Sequence, residues 1–320
     1  MGFAYKDVQE AHNRIKGYVR TTPLEQSFFL GNEERRYFFK LEAFQKVKNF
    51  KIRGALNKMM TLTEEEKVSG IAAVSSGNHG ISVSYAASIL GIKNAKIIVP
   101  HNTPQSKIHK IAYFGGETIL MGSNYDEVHK LGMEYIEANG LINIDSYYND
   151  PKVYAGNGTI AIEILEQNPA VDTIVVPIGG GGVITGIAVA AKAIKPDIRI
   201  VGVQTEACPA MIASYKDGVF YEEYPTKESL CESLVGGIGK LSYDMAKDYV
   251  DDFLTVKEET IAKAISFMAK EEKYIIEAGS CTTVAAVMEH QERIGGQNIA
   301  LVLTGGNIDG TLLTSILGKY

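Results

Sequence analysis

Cysteine is scarce in this 320-residue chain. The three present, Cys208, Cys231 and Cys281, are far apart, odd in number and without a CxxC spacing, so neither a disulfide framework nor a zinc site is expected. Inert buried thiols fit better. Basic blocks are missing too: the net charge is -6 and no run of Lys and Arg stands out, which leaves nothing to meet a phosphate backbone and excludes nucleic acid as an expected partner. The N-terminal MGFAYKDVQEAHNRIKG is charged and has no apolar core, so it does not read as a secretory leader. One stretch, Thr173 to Ala191, runs 19 residues without a charge, a length that could span a membrane. Pro177 and four consecutive glycines interrupt it, which points instead to strand, turn and helix. No internal repeat, low-complexity tract or long polar linker is found. The expectation is a cytoplasmic protein with no membrane partner.

What is present is an ordinary globular composition, 45% hydrophobic and 22% charged, in a chain long enough for two lobes. From Gly70 onward, short β-branched runs alternate with amphipathic segments of helical length, as in a parallel sheet with helical crossovers. IAAVSS, AKIIVP, ETILM and LINI supply the strands of one small unit. A second series runs from DTIVVPIGGGG through IRIVGVQ to NIALVLTGGN, and the candidate strand RYFFKLE joins it. The fold class is therefore α/β, with two lobes of open, mostly parallel sheets and helices on both faces. Residues 1–71 and 150–320 form the expected large domain that holds a phosphate, with a small mobile domain at 72–149 inserted.

Three loops at strand ends carry candidate chemistry, which is where open α/β sheets bind ligands. Gly179, Gly180, Gly181 and Gly182 follow the apolar run TIVVPI and precede a helix. Glycine lets successive N–H groups converge at a helix N-terminus, a cradle for an anion. The dinucleotide fingerprint is not met, because neither frame of glycines ends in the required third one, and no Lys-Ser or Lys-Thr follows as in a Walker loop. A monophosphate cofactor fits better. SSGNHG (Ser75 to Gly80) offers hydroxyls, an amide and free N–H groups for a carboxylate, and TGGN (Thr304 to Asn307) closes the set. Lys51, in NFKIRGALNKM, fits a solvated helix face when read alone.

Together and in this order, NFKIRGA, SSGNHG, GGGG and TGGN resemble the threonine dehydratase and serine racemase branch of the pyridoxal-phosphate enzymes of the tryptophan-synthase β fold, fold type II. The likeness runs over nearly the whole chain. It implies pyridoxal 5'-phosphate as cofactor and Lys51 as the lysine bonded to its aldehyde, a role that needs an unprotonated amine and hence desolvation. It further implies Phe50 beside the ring, Asn78 near the ring 3-oxygen, Asn149 near a cofactor oxygen, Gly179 to Gly182 on the phosphate and Thr304 on the pyridine nitrogen. Ser75, Gly77 and His79 become the substrate-binding residues. Ser76 matches the serine that in racemases faces Cα from the side opposite the lysine.

The implied reaction is loss of water from L-threonine or L-serine. Lys51, once displaced by the substrate amine, takes the Cα proton, the β-hydroxyl leaves, and water converts the remaining enamine to a 2-oxo acid and ammonia. The resemblance suggests the cofactor phosphate as proton source for the leaving group. A hydroxyl such as that of Thr304 cannot protonate the pyridine nitrogen, so elimination suits the site better than transamination. The alternatives are a serine racemase, a threo-3-hydroxyaspartate ammonia-lyase or, from another class, a pyridoxal-phosphate-binding protein without turnover.

The chain departs from the branch pattern at several places. Asn49 replaces a serine, Thr304 stands where many relatives have serine, and EAGSC (Glu277 to Cys281) alters local helix packing. VGVQTEACPAM carries Gln204, Cys208 and Ala210 where the racemases place cation-binding acids, so no metal is expected there. The chain stops at Tyr320, shortly after the last βα unit, which leads to the expectation of a short catabolic-type enzyme. The resemblance also implies a homodimer or homotetramer.

Overall fold

The computed structural model describes residues 2–123 and 125–320. It opens with α1 (Tyr5–Ile15), β1 (Leu24–Gly31), β2 (Arg36–Leu41), α2 (Lys51–Met59) and α3 (Glu64–Ser69). There follow β3 (Ile71–Val74), α4 (Asn78–Leu90), β4 (Ala95–Val99), α5 (Gln105–Tyr113), β5 (Glu117–Leu120), α6 (Tyr125–Ala138) and β6 (Ile142–Asn143). The chain then runs through α7 (Pro151–Gln167), β7 (Thr173–Pro177), α8 (Gly182–Ile194), β8 (Arg199–Thr205), α9 (Ala210–Asp217) and α10 (Lys240–Met245). It ends with β9 (Asp252–Val256), α11 (Glu258–Lys270), α12 (Ala278–Ile294), β10 (Asn298–Leu303) and α13 (Gly310–Lys319).

Two sheets result. The larger has six strands in the order β1-β2-β10-β7-β8-β9, the smaller four in the order β5-β4-β3-β6. Every pairing is parallel except that of β1 with β2. β7 is buried along its whole length, as a strand covered by helices on both faces must be, and its near-continuous Val and Ile content follows from that. The uncharged stretch divides into β7, a glycine turn and α8, and no described helix is long and apolar enough to cross a membrane.

Parallel register brings strand ends to one edge. Leu303 pairs with Leu41, and Pro177 with Val203. The loops after β2, β10 and β7 therefore emerge side by side. Glycines set how closely the helices behind them pack. A Cβ on Gly156 of α7 would lie 2.5 Å from the Arg53 carbonyl oxygen of α2, and one on Gly186 of α8 would lie 2.4 Å from the Tyr154 carbonyl oxygen. Backbone meets backbone on both faces of α7, so α2, α7 and α8 form one close stack.

Candidate active site

Lys51 is the first residue of α2, and the segment before it is stitched to the loop after β10. Phe50 N donates to the Thr304 carbonyl (2.9 Å) and Gly306 N to that of Lys48 (2.9 Å). Asn49 is buried; its side-chain oxygen accepts from Lys51 N (3.0 Å) and from the Ser82 hydroxyl (3.0 Å). The amide thus serves where a shorter serine was expected, holding the turn that starts the helix.

The Lys51 ammonium donates to the Ser146 carbonyl (3.2 Å) and lies 5.4 Å from the centre of the Phe50 ring and 5.7 Å from that of Tyr147. Among the described residues no carboxylate stands within ion-pair distance of it. Burial pushes its pKa down to about 8, a shift the more distant charges of Asp145 and Glu277 only partly offset. An amine so placed is neutral in a useful fraction near neutral pH, which an ordinary surface lysine is not.

The glycine loop and Lys51 share the Tyr147 ring as a neighbour. A Cβ on Gly180 would lie 2.0 Å from that ring, and one on Gly181, whose φ is +89°, would lie 2.5 Å from the Ser242 hydroxyl. Only glycine fits either position, and α8 starts at Gly182 with its N-terminal N–H groups open to an anion. Asp145 fixes the segment between, accepting from Tyr147 N (3.1 Å) and Asn149 N (2.8 Å). The Tyr154 hydroxyl donates to the Tyr147 carbonyl. A half-buried amine with only a carbonyl partner, near a glycine loop with no room for a side chain at Gly180 or Gly181, fits a group carrying an aldehyde at one end and a phosphate at the other.

The remaining expected residues divide. Thr304 is buried, its hydroxyl 2.8 Å from that of Ser280. Gly77 caps α4, and its N donates to the Ser75 hydroxyl (3.3 Å); Ser76 lies between them, half-buried. His79 is buried with Nε2 donating to the Ile144 carbonyl (2.7 Å), and burial together with the Lys51 charge pushes its pKa down to about 4. It is a neutral ring whose Nε2 is committed to the backbone. Asn149 is exposed and joins the site only through its backbone.

Asn78 reaches a partner that sequence reasoning missed. Its Nδ2 donates to both oxygens of Glu277 (2.9 and 3.0 Å), and its Oδ1 accepts from Asn307 Nδ2 (2.7 Å). Glu277 is the residue preceding α12, yet its carboxylate makes no cap bond to that helix. Burial raises its pKa. Tyr147 and Asp145 were missed as well, since both sit in an aperiodic loop that no motif marks. Among the described residues no group of three or more His, Cys, Asp or Glu could hold a metal ion. Gln204 Oε1 instead accepts from Met211 N and Ile212 N (3.1 Å each), at the start of α9.

Residues 15–305 match a family model described as pyridoxal-phosphate dependent enzyme. The chain is similar to the L-threonine ammonia-lyase of Thermotoga maritima, 40% identical over 316 residues that cover 98% of this chain and 78% of that protein. It is also similar to the L-threonine dehydratase catabolic TdcB of Escherichia coli K12, 36% identical over 318 residues that cover 98% and 96%. Maize serine racemase superposes with a TM-score of 0.93 at 32% identity, covering 100% of this chain and 98% of that one.

Proposed function

The chain belongs to the pyridoxal-phosphate-dependent enzymes, and on that premise we propose that it is an ammonia-lyase that removes water from L-threonine or L-serine to give a 2-oxo acid and ammonia. The observation that carries the reading is the half-buried Lys51 amine, unpaired by any described carboxylate, beside the Tyr147 ring that also meets the glycine loop. Bound at this site, pyridoxal phosphate supplies an aldehyde for an amine and an electron-withdrawing ring that acidifies the adjacent Cα proton.

The chain's own groups do the rest. Backbone N–H groups of Gly179 to Gly182 and the start of α8 hold the phosphate. Lys51 Nζ, free of a competing carboxylate, would hold the aldehyde and, once displaced by the substrate amine, would accept the Cα proton. Phe50 and Tyr147 exclude water from that nitrogen. Thr304, paired with Ser280, would offer an uncharged hydroxyl to the ring nitrogen, which would favour prompt loss of the β-hydroxyl over storage of negative charge. We assign Asn78, Phe50 and Asn149 to the cofactor and Ser75, Ser76, Gly77 and His79 to the substrate side. The division into domains 1–71 with 150–320 and 72–149 belongs to the same reading.

A racemase activity is the second reading, supported by the likeness to maize serine racemase and by Ser76 in the loop at the start of α4. Purified protein incubated with L-threonine, L-serine and threo-3-hydroxyaspartate is expected to release 2-oxo acid fastest from the first two. D-serine without 2-oxo acid overturns the assignment in favour of racemisation, and bound cofactor without turnover overturns it in favour of a binding protein. We also propose a cytoplasmic location, in keeping with three buried free thiols, and a homodimer or homotetramer. Adjacent Phe28 and Phe29 on the edge strand β1, 85% and 59% exposed, support a self-association surface, which light scattering would test.

A further inference from the structure

Two residues beyond Lys51 on α2, Arg53 is fully buried and all its N–H groups are engaged. Nε and Nη2 grip the Glu42 carboxylate (2.8 Å each), while Nη1 and Nη2 grip that of Glu163 (2.7 and 2.9 Å). Nη1 also reaches the Thr159 hydroxyl (3.1 Å). Lys40, equally buried, donates to Glu163 (2.6 Å) and completes a neutral set of two cations and two carboxylates. Taking four charges out of water opposes folding, so such a cluster is weak evidence for stability alone. What it supplies is direction. The guanidinium plane is fixed between carboxylates from two elements, the turn after β2 and α7.

The geometry turns this into a statement about the catalytic amine. A separation of two residues is about 200° around a helix, so Arg53 anchors the face of α2 opposite the one from which Lys51 projects. The backbone contact at Gly156 already sets the distance between α2 and α7, leaving rotation among the freedoms that remain. A turn of about 10° about the α2 axis carries a group about 8 Å from that axis through about 1.4 Å, and misplacing a reacting group by about 1 Å costs roughly a hundredfold in rate. α7 in turn packs on α8, whose first residue ends the glycine loop. We propose that Arg53 is a positioning residue, which fixes the rotation of α2 so that Lys51 Nζ stands at the right place relative to the glycine loop. The proposal rests on the assignment of Lys51 as the lysine that binds the cofactor.

The test compares Arg53→Lys with Lys40→Met in the full-length holoenzyme, reading melting temperature, cofactor dissociation constant, the absorbance maximum of bound cofactor, kcat and KM. Arg53→Lys keeps the charge but not the two-sided grip, so it can fold where Arg53→Met would leave Glu42 without a cation and Glu163 with Lys40 alone. The expected result is a tenfold to hundredfold fall in kcat with little change in KM, at least tenfold weaker cofactor binding and a shifted absorbance maximum. Lys40→Met, which disturbs the same cluster from outside α2, is expected to lower the melting temperature while leaving kcat and the absorbance maximum within twofold and a few nanometres of the parent. Equal effects of both variants on kcat and spectrum, or none from Arg53→Lys, overturn the proposal. Lys51→Ala serves as a separate control: if it retains the parent's covalent-cofactor absorbance, the Lys51 assignment falls and the proposal with it.

Discussion

Lys51 and Arg53 are two desolvated cations two residues apart on α2, and the protein treats them in opposite ways. Arg53 has two carboxylates in contact and its pKa is raised; Lys51 has a carbonyl in contact and its pKa falls to about 8. Burial opposes the charge in both cases, and the difference lies in what the neighbours return. A cation meant to hold structure is given matched acceptors, whereas an amine meant to react is denied them. The carboxylates that influence Lys51, Asp145 and Glu277, are occupied elsewhere, with loop N–H groups and with Asn78.

Substitutions can break that contrast. Lys51→Ala is expected to lower the rate of 2-oxo acid release by at least about a thousandfold, while Lys51→Met leaves stability unchanged or improved because it removes a half-buried charge that has no carboxylate in contact. Marked destabilisation by Lys51→Met, measured in urea, would mean the lysine is structural after all. Arg53→Met should show the converse, losing about 3–5 kcal/mol in the same unfolding assay, since Glu42 is left buried without a cation and Glu163 keeps only Lys40. Gly180→Ala places a methyl against the Tyr147 ring; overpacking on the order of 1–3 kcal/mol should weaken cofactor binding by roughly tenfold to hundredfold in equilibrium titration. The smallest effect is expected from Asp145→Asn, which removes the larger of the two charges holding the Lys51 pKa up. The midpoint for labelling Lys51 by an amine reagent should then lie below the parent's value near pH 8. The sign follows from linkage: with Lys51 depressed in the folded state, the unfolded chain binds more protons between about pH 8 and 10.5, so its contribution to stability grows as pH rises through that window.

Much of this was legible in the sequence for a local reason. A glycine run after a β-branched run, or an aromatic and a lysine ahead of a helix, is written in neighbouring residues, and α8, α2 and the three loops appeared where their motifs stood. What was not legible depends on long separations. Glu277 looked like a change in helix packing because its partner Asn78 is 199 residues away. Arg53 looked like part of a motif because Glu163 is 110 residues away. The antiparallel edge strand β1 escaped because LEQSFFLG does not alternate cleanly, and LINI shortened to the two-residue β6. Asn149 entered the site by motif position and is exposed, held through its backbone N–H to Asp145; the ring that meets the glycine loop belongs to Tyr147, two residues earlier.

Borohydride reduction of the cofactor-loaded protein, followed by peptide mapping, tests the central claim most directly. The account predicts one reduced pyridoxyl adduct, on Lys51, and its disappearance when L-threonine is supplied before the reductant. An adduct on any other lysine, or protein that takes up no cofactor when it is offered in excess, would contradict it.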